Sequence, residues 1–210
     1  MPSRRIFAVI PAAGHSRRMG QSKLLLPLGG DSVIALILRT LCIPEIAETF
    51  VVVRKDDEPL RAAASREGAT IIQPLQDPPD MRTSVTEVLD AIEHRWHPEP
   101  DDGWLLSPAD HPALDQELIR SLAYHWQQSD HVILAPIQNG RRGHPTVFAW
   151  RLAAEIVTIP PDQGLNWLLK RHQVGELPVD CVGIFDDLDT PEDYARLQAR
   201  WEKRQRRAVP

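Results

Sequence analysis

Short, predominantly apolar runs alternate along this chain with longer stretches whose apolar residues recur every three or four positions. The runs lie at residues 6–10, 50–53, 70–72, 104–106 and 131–135 and are rich in residues that favour strands. A run so short of polar residues has little to offer water, so each reads as a strand covered on both sides. Between them, Val33, Ile34, Ile37, Leu38 and Leu41 fall on one helix face. Val85, Val88, Leu89, Ile92 and Trp96 fall on a second, opened by Ser84-x-x-Glu87 as a capping box. Leu118, Ile119, Leu122, Ala123 and Trp126 form a third behind Asp115 as N-cap. Strands that take turns with helices are joined by crossovers, and that predicts a mostly parallel sheet with helices on both faces.

Beyond residue 137 the rhythm changes and the chain reads as strand-poor. Residues 140–145 read as a loop, 146–148 as a short strand, 164–171 as helical, and 179–185 as one or two short strands. Thr190-Pro191-Glu192-Asp193 then has the form of a helix start: a cap, a proline in the first position, and acids in the first turn. Tyr194, Leu197 and Trp201 supply its buried face, while residues 200–207 are basic and read as fraying into solvent. No repeat or linker interrupts the chain, so residues 1–198 are expected to form one domain, with 199–210 a basic helix end or tail.

Charge narrows the partners. The formal net charge is −5, and all 29 acids lie beyond residue 30, whereas residues 1–30 hold Arg4, Arg5, Arg17, Arg18 and Lys23. An acidic protein lacks the broad basic face that nucleic-acid binding needs, and a local cationic segment points to one small anionic ligand instead. Cys42 and Cys181 are far apart and show no metal spacing, which fits a reducing, cytoplasmic setting. No apolar run approaches the ~18–20 residues needed to span a bilayer, so no membrane partner is expected. Ser3-Arg4-Arg5 resembles the start of an export signal, but the apolar run behind it is short and no A-x-A site follows.

The most informative stretch is Pro11-Ala12-Ala13-Gly14-His15-Ser16-Arg17-Arg18-Met19-Gly20-Gln21-Ser22-Lys23. It leaves the first strand through small residues, which let a ligand approach the backbone, and then adds three cations. The loop at the carboxyl end of a parallel strand is where such folds bind ligands, and this composition suits a polyphosphate. Its spacing matches neither a Walker A loop nor a dinucleotide-binding G-x-G-x-x-G. No nucleophile elbow or Ser/His/Asp order supports hydrolase chemistry.

Ala12-Ala13-Gly14-x-Ser16-x-Arg18-Met19-Gly20-x-x-Lys23, followed by apolar residues 24–28, resembles the signature of the MobA-like NTP-transferase family. Three further blocks agree, in the family's order. Ser107-Pro108-Ala109-Asp110-His111-Pro112 resembles its G-D-x-P block, with Ala109 where glycine is usual. Gly140-Arg141-Arg142-Gly143-His144-Pro145 resembles its G-x-x-G-H-P block. Asp187-Leu188-Asp189-Thr190-Pro191-Glu192-Asp193-Tyr194 resembles its D-x-D-T-P-E-D ending. Met81-Arg82-Thr83-Ser84 matches a G-M-x-x-S segment more loosely, since Asp80 stands where that segment has glycine; Ser84 reads equally as a plain helix cap.

The resemblance implies a three-layer α/β/α fold of the nucleotide-diphospho-sugar-transferase type, Rossmann-like, and a nucleotidyltransferase reaction. It places Ala12, Ala13, Gly14, Ser16, Arg18, Lys23 and Ser84 against the nucleotide, with Arg18, Lys23 and Asp110 as catalytic residues. It places Gly143, His144 and Pro145 at the acceptor. Asp110 and Asp189, with Asp187 as the weaker alternative, would hold Mg²⁺, or Mn²⁺ in its place. Ala12-Ala13-Gly14 is similar to the cytidylyl branch, which implies CTP as donor, molybdopterin as acceptor and a molybdoenzyme client. A sugar- or polyol-phosphate nucleotidyltransferase, or a non-catalytic module that delivers a nucleotide cofactor, are the alternatives.

Overall fold

A computed structural model describes residues 4–208. The first strand, β1 (Ile6–Pro11), lies mid-sheet. Its residues alternate between two cores: Ile6, Ala8 and Ile10 join one, Phe7 and Val9 the other. Every position from Ile6 to Ile10 is buried, which is why the run is apolar without a break.

After β1 come a short hairpin of β2 (Pro27–Leu28) and β3 (Asp31–Ser32), then α1 (Val33–Leu41), β4 (Glu48–Val52), α2 (Glu58–Arg66) and β5 (Thr70–Ile72). Next are α3 (Met81–Trp96), β6 (Gly103–Leu106), α4 (Gln116–Gln128) and β7 (Ile133–Gln138). The chain ends through β8 (Arg141–Arg142), β9 (Thr146–Ala149), α5 (Asn166–Arg171), β10 (Val174–Pro178) and α6 (Pro191–Ala208). Strand order is β10-β7-β9-β6-β1-β4-β5, with β8 paired to β7. The pairs β1–β4, β1–β6, β4–β5 and β7–β10 are parallel, while β9 runs antiparallel to β6 and β7. Helices α1, α2, α4 and α6 contribute to the core on one face, and α3 and α5 to the core on the other. The expected three layers and mostly parallel sheet are present. The chain leaves β1 toward β4 on one side and returns to β6 on the other, so β1/β6 is a topological switch point.

Several local expectations are corrected. Helix α3 starts three residues before Ser84, because the Asp80 carboxylate accepts from Thr83 N at 2.7 Å and so caps it. Ser84 is therefore inside the helix, where its hydroxyl donates to Asp80 O, and the Ser84–Glu87 box does not form. The strand expected within 179–185 lies earlier, at β10, and Val182–Phe185 is a 3-10 turn. Residues 140–145 are not all loop, since Asn139 and Gly140 adopt positive φ (52° and 75°) and turn the chain into β8. The C-terminal part is thus not strand-poor: β8, β9 and β10 complete the main sheet. Helix α2 gave little periodic signal because its buried face is only Leu60, Ala63 and Ala64.

Helix α6 runs past residue 198 to Ala208 without a break, and Trp201 packs on the main core. Residues 209–210 of the expected tail, and Ser3 of the export-like segment, lie outside the described residues. Arg4 and Arg5 serve the fold at the opposite end of β1 from the phosphate-binding candidate. Arg5 pairs with buried Asp102 at 2.6 Å, and the Arg4 guanidinium lies 3.9 Å from the Trp126 ring centroid. Among the described residues, no helix is long and apolar enough to cross a membrane.

Candidate active site

Strands β1, β4 and β6 run parallel, so the segments leaving them gather at one edge of the sheet. There an open cleft of about 270 Å³ is lined by Ala12, Ala13, Gly14, Ser16, Lys23, Ser84 and Asp110, together with Pro78, Pro79 and Met81. Six of the seven expected nucleotide-binding residues therefore line one cavity. Arg18 is exposed and stands beside it, joined to the cluster by its guanidinium. The loop is held in shape from within: Ser16 adopts φ 48°, and its hydroxyl accepts from Lys23 N at 3.3 Å.

Four charged side chains meet at this edge. The Lys23 ammonium lies 2.7 Å from Asp110 Oδ2 and 2.8 Å from Asp189 Oδ1. Arg18 Nη2 donates to the other oxygen of Asp189, also at 2.8 Å. The N-terminal loop, the segment after β6 and the entry to α6 thus contribute to one cluster from residues 166 positions apart. Burial alone would raise the Asp110 pKa, but the hydrogen bond from His111 and the Lys23 charge outweigh it and hold the carboxyl well below its ordinary range. The same two carboxylates hold the Lys23 ammonium above its ordinary value against the cost of its burial.

Helix α6 delivers Asp189 by a reciprocal cap: the Asp193 carboxylate accepts from Thr190 N at 2.9 Å, and the Thr190 hydroxyl accepts from Asp193 N at 3.2 Å. That helix also braces the loop region. Tyr194 OH donates to Pro27 O, and the Trp201 indole lies over Gly29. Asp187 N donates to Phe185 O, whereas it is the Asp189 side chain that meets Lys23 and Arg18 in the charge cluster.

The donor set suits a hard divalent cation. Lys23 already places one positive nitrogen between two carboxylate groups, at hydrogen-bonding distance from each. Among the described residues, no three His, Cys, Asp or Glu are grouped to hold a metal by themselves. Two carboxylates completed by phosphate oxygens and water are the usual surroundings of Mg²⁺ at a nucleotide.

Gly143, His144 and Pro145 do not line the cleft, and His144 is linked to Asp110 through the ring of His111. His144 N donates to Ile184 O at 3.0 Å, and Leu188 N donates to Asp110 O at 2.9 Å, so the 184–188 segment ties both regions together. A Cβ added at Gly143 would lie 2.6 Å from Ile184 O, which is why no larger residue fits there. Burial pushes the His144 pKa down to about 4, with His111 adding to the effect.

Sequence reasoning missed His111 and Arg54. The ring of His111 meets that of His144 edge-on, and its Nδ1 lies 3.0 Å from Asp110 Oδ1. Its signal was adjacency to Asp110 in the same block. Arg54 follows β4 at the same sheet edge, donates to Gly14 O at 3.1 Å and approaches Asp77 at 3.9 Å. Only its position after a parallel strand could have marked it.

A family model described as the MobA-like NTP transferase domain matches residues 8–176. The chain is 29% identical to the purine catabolism protein PucB of Bacillus subtilis, over 92% of this chain and 96% of that protein. It is 22% identical to the molybdenum cofactor cytidylyltransferase of Escherichia coli, over 93% of this chain and 97% of that one. Identity to the molybdenum cofactor guanylyltransferase of Rhodobacter capsulatus is 28%, over 93% and 96%. Among solved structures, a nucleotidyl transferase from Methanothermobacter superposes with a TM-score of 0.79 at 20% identity, over 95% of this chain and 99% of that chain. Rv0371c of Mycobacterium tuberculosis, in complex with manganese, does so with a TM-score of 0.72 at 23% identity, over 93% and 98%. At these identities the two structures establish the fold.

Proposed function

The chain belongs to the MobA-like NTP transferase family, and from that premise we propose that it moves CMP from CTP onto a phosphorylated acceptor, molybdopterin, with release of pyrophosphate. One observation carries the reading: Arg18, Lys23, Asp110 and Asp189 converge within 2.8 Å contacts at the mouth of a cleft lined by the small residues 12–14. A site that must bind a highly charged donor and a cation together needs both signs of charge in one place.

In this reading a phosphate oxygen of the acceptor attacks the α-phosphorus, a new O–P bond forms, and the bond to the β-phosphate oxygen breaks. A phosphate monoester is largely ionised at neutral pH, so the attack needs no dedicated base, and the protein's work is positioning and charge neutralisation. Lys23 and Arg18 exchange their carboxylate partners for phosphate oxygens and take up charge on the leaving pyrophosphate. Ala12, Ala13 and Gly14 let the nucleoside lie against the backbone, Ser16 keeps the loop in shape, and Ser84 lines the far wall. Asp110 and Asp189 would hold Mg²⁺ or Mn²⁺, which supplies Lewis-acid neutralisation of the triphosphate. Gly143, His144 and Pro145 border the acceptor side, and the cytoplasm is the setting.

The relatives include both cytidylyl- and guanylyltransferases. The CTP assignment therefore rests on the resemblance of Ala12-Ala13-Gly14 to the cytidylyl branch, at residues that line the cleft. PucB, the most identical of the three relatives reported, is named for purine catabolism, which favours a different acceptor as the second reading. A pyrophosphate-release screen of four NTPs against phosphorylated acceptors including molybdopterin tests both. Turnover of CTP with molybdopterin is expected. Turnover only with another phosphorylated acceptor would replace the acceptor assignment, and nucleotide binding without pyrophosphate release from any pair would make the chain a delivery module.

A further inference from the structure

Asp110 is a short side chain with one free terminal torsion, and what it presents to the cleft depends on what fixes that torsion. Lys23, on a four-carbon stem, takes Oδ2 at 2.7 Å but cannot by itself define the carboxylate plane. The other oxygen, Oδ1, faces the Nδ1 of His111 at 3.0 Å. His111 is 7% exposed, so its ring has little freedom of its own. On its other side the ring meets that of His144, with centroids 5.2 Å apart and planes at 79°, the edge-to-face attitude aromatic rings prefer. His144 is anchored in turn by its backbone bond to Ile184 O and by the close approach of Gly143 to the same residue.

We propose that His111 is a positioning residue for Asp110: its Nδ1–H fixes Oδ1 so that Oδ2 faces the shared cation position, and His144 holds the ring in that attitude. This role rests on the reading of Asp110 and Asp189 as the carboxylates of a metal–nucleotide site. Partners that orient a ligating side chain govern metal affinity by about 10- to 100-fold when removed. The arrangement also gives the block containing His144 a structural task on the nucleotide side, beyond any contact with the acceptor.

Binding of Mn²⁺, followed by electron paramagnetic resonance in the presence of CTP and in parallel of GTP, tests the assignment without turnover. His111→Phe keeps a ring against His144 but loses the donor, and its Mn²⁺ affinity should fall at least about 10-fold. His111→Asn places its amide nitrogen at the position of Nδ1 and should recover most of that loss. His144→Ala, which leaves the bond to Asp110 intact but frees the His111 ring, should weaken Mn²⁺ binding severalfold. If His111→Phe does not fold, as judged by circular dichroism, the asparagine and alanine variants still decide. Unchanged affinity in His111→Phe, loss in His111→Asn as large as in the phenylalanine variant, or unchanged affinity in His144→Ala would overturn the proposal. Absence of nucleotide-dependent Mn²⁺ binding in the unmodified protein would instead overturn the reading of the site, and this role with it.

Discussion

Ala13 lines the cleft, and the choice of base is argued from it. Ala13→Gly should narrow the preference for CTP over GTP by about 10-fold in kcat/KM, the scale on which a single methyl discriminates. Competition assays with both nucleotides would show it, and an unchanged ratio would remove Ala13 from the argument. Lys23→Ala and Asp110→Ala should each lower the rate of pyrophosphate release by at least about 100-fold while leaving the circular dichroism spectrum intact. His144 carries a pH signature because burial holds its pKa near 4 in the folded chain, against an ordinary value of 6.5. Between those values the unfolded chain binds a proton that the folded chain refuses, so stability falls as pH drops from 6.5 toward 4, by at most about 3 kcal/mol. Urea titrations across that range should show the slope, and His144→Gln should flatten it. Asp110, depressed in the folded state, adds a further loss below the ordinary carboxylate range. The residues that carry charge were legible in advance because their types and order are distinctive. His111 was not, since adjacency to Asp110 in the same block marks it only as a neighbour and does not say that its ring turns back toward the carboxylate.

Between elements, the contact of α6 with the β2–β3 hairpin is the tightest constraint. A Cβ added at Gly29 would lie 1.8 Å from Trp201 Nε1, at a residue whose φ is +66°. Gly29→Ala should cost about 1–3 kcal/mol for the backbone alone, and Trp201→Ala should relieve the collision but not the backbone strain. A double-mutant cycle by chemical denaturation should therefore give less than the sum of the single effects. At the start of α3, Asp80→Ala should cost about 1 kcal/mol through loss of the cap. That helix start shows what pattern reading loses. Ser84-x-x-Glu87 has the form of a cap, but Asp80 lies nearer the true start and reaches Thr83 N, so the longer helix forms. β10 escaped for a related reason: Val174–Pro178 alternates buried and exposed residues only because it pairs with β7 at the sheet edge, and pairing is not written in one segment. The fully buried strands β1 and β6 needed no such knowledge.

Over the whole molecule, the net charge of −5 hides a division of labour among the early cations. Arg4 and Arg5 stabilise the far end of β1, while Arg18 and Lys23 meet two acids brought from the middle and end of the chain. Sheet topology makes that meeting, which is why the cluster could be listed from the sequence but not assembled from it. Removing residues 189–210 should abolish nucleotide-dependent metal binding, since Asp189, Tyr194 and Trp201 leave together. Thermal melts should show a larger rise with CTP and Mg²⁺ together than the two separate rises combined, because stabilisation grows as the logarithm of ligand concentration over Kd and on the proposed reading each ligand lowers the other's Kd. The reason lies in the four-way ionic knot of Arg18, Lys23, Asp110 and Asp189, whose formal charges cancel. If Asp110 and Asp189 are the metal's carboxylates and Arg18 and Lys23 the triphosphate's cations, a lone divalent ion would find both carboxylates already answered by cations, and a lone triphosphate both cations already answered by acids. Either visitor alone must break pairs it cannot replace, whereas the two arriving together hand each protein charge a new opposite. On the proposed reading the knot would work as a coincidence detector, closed to single inputs and opened by the pair.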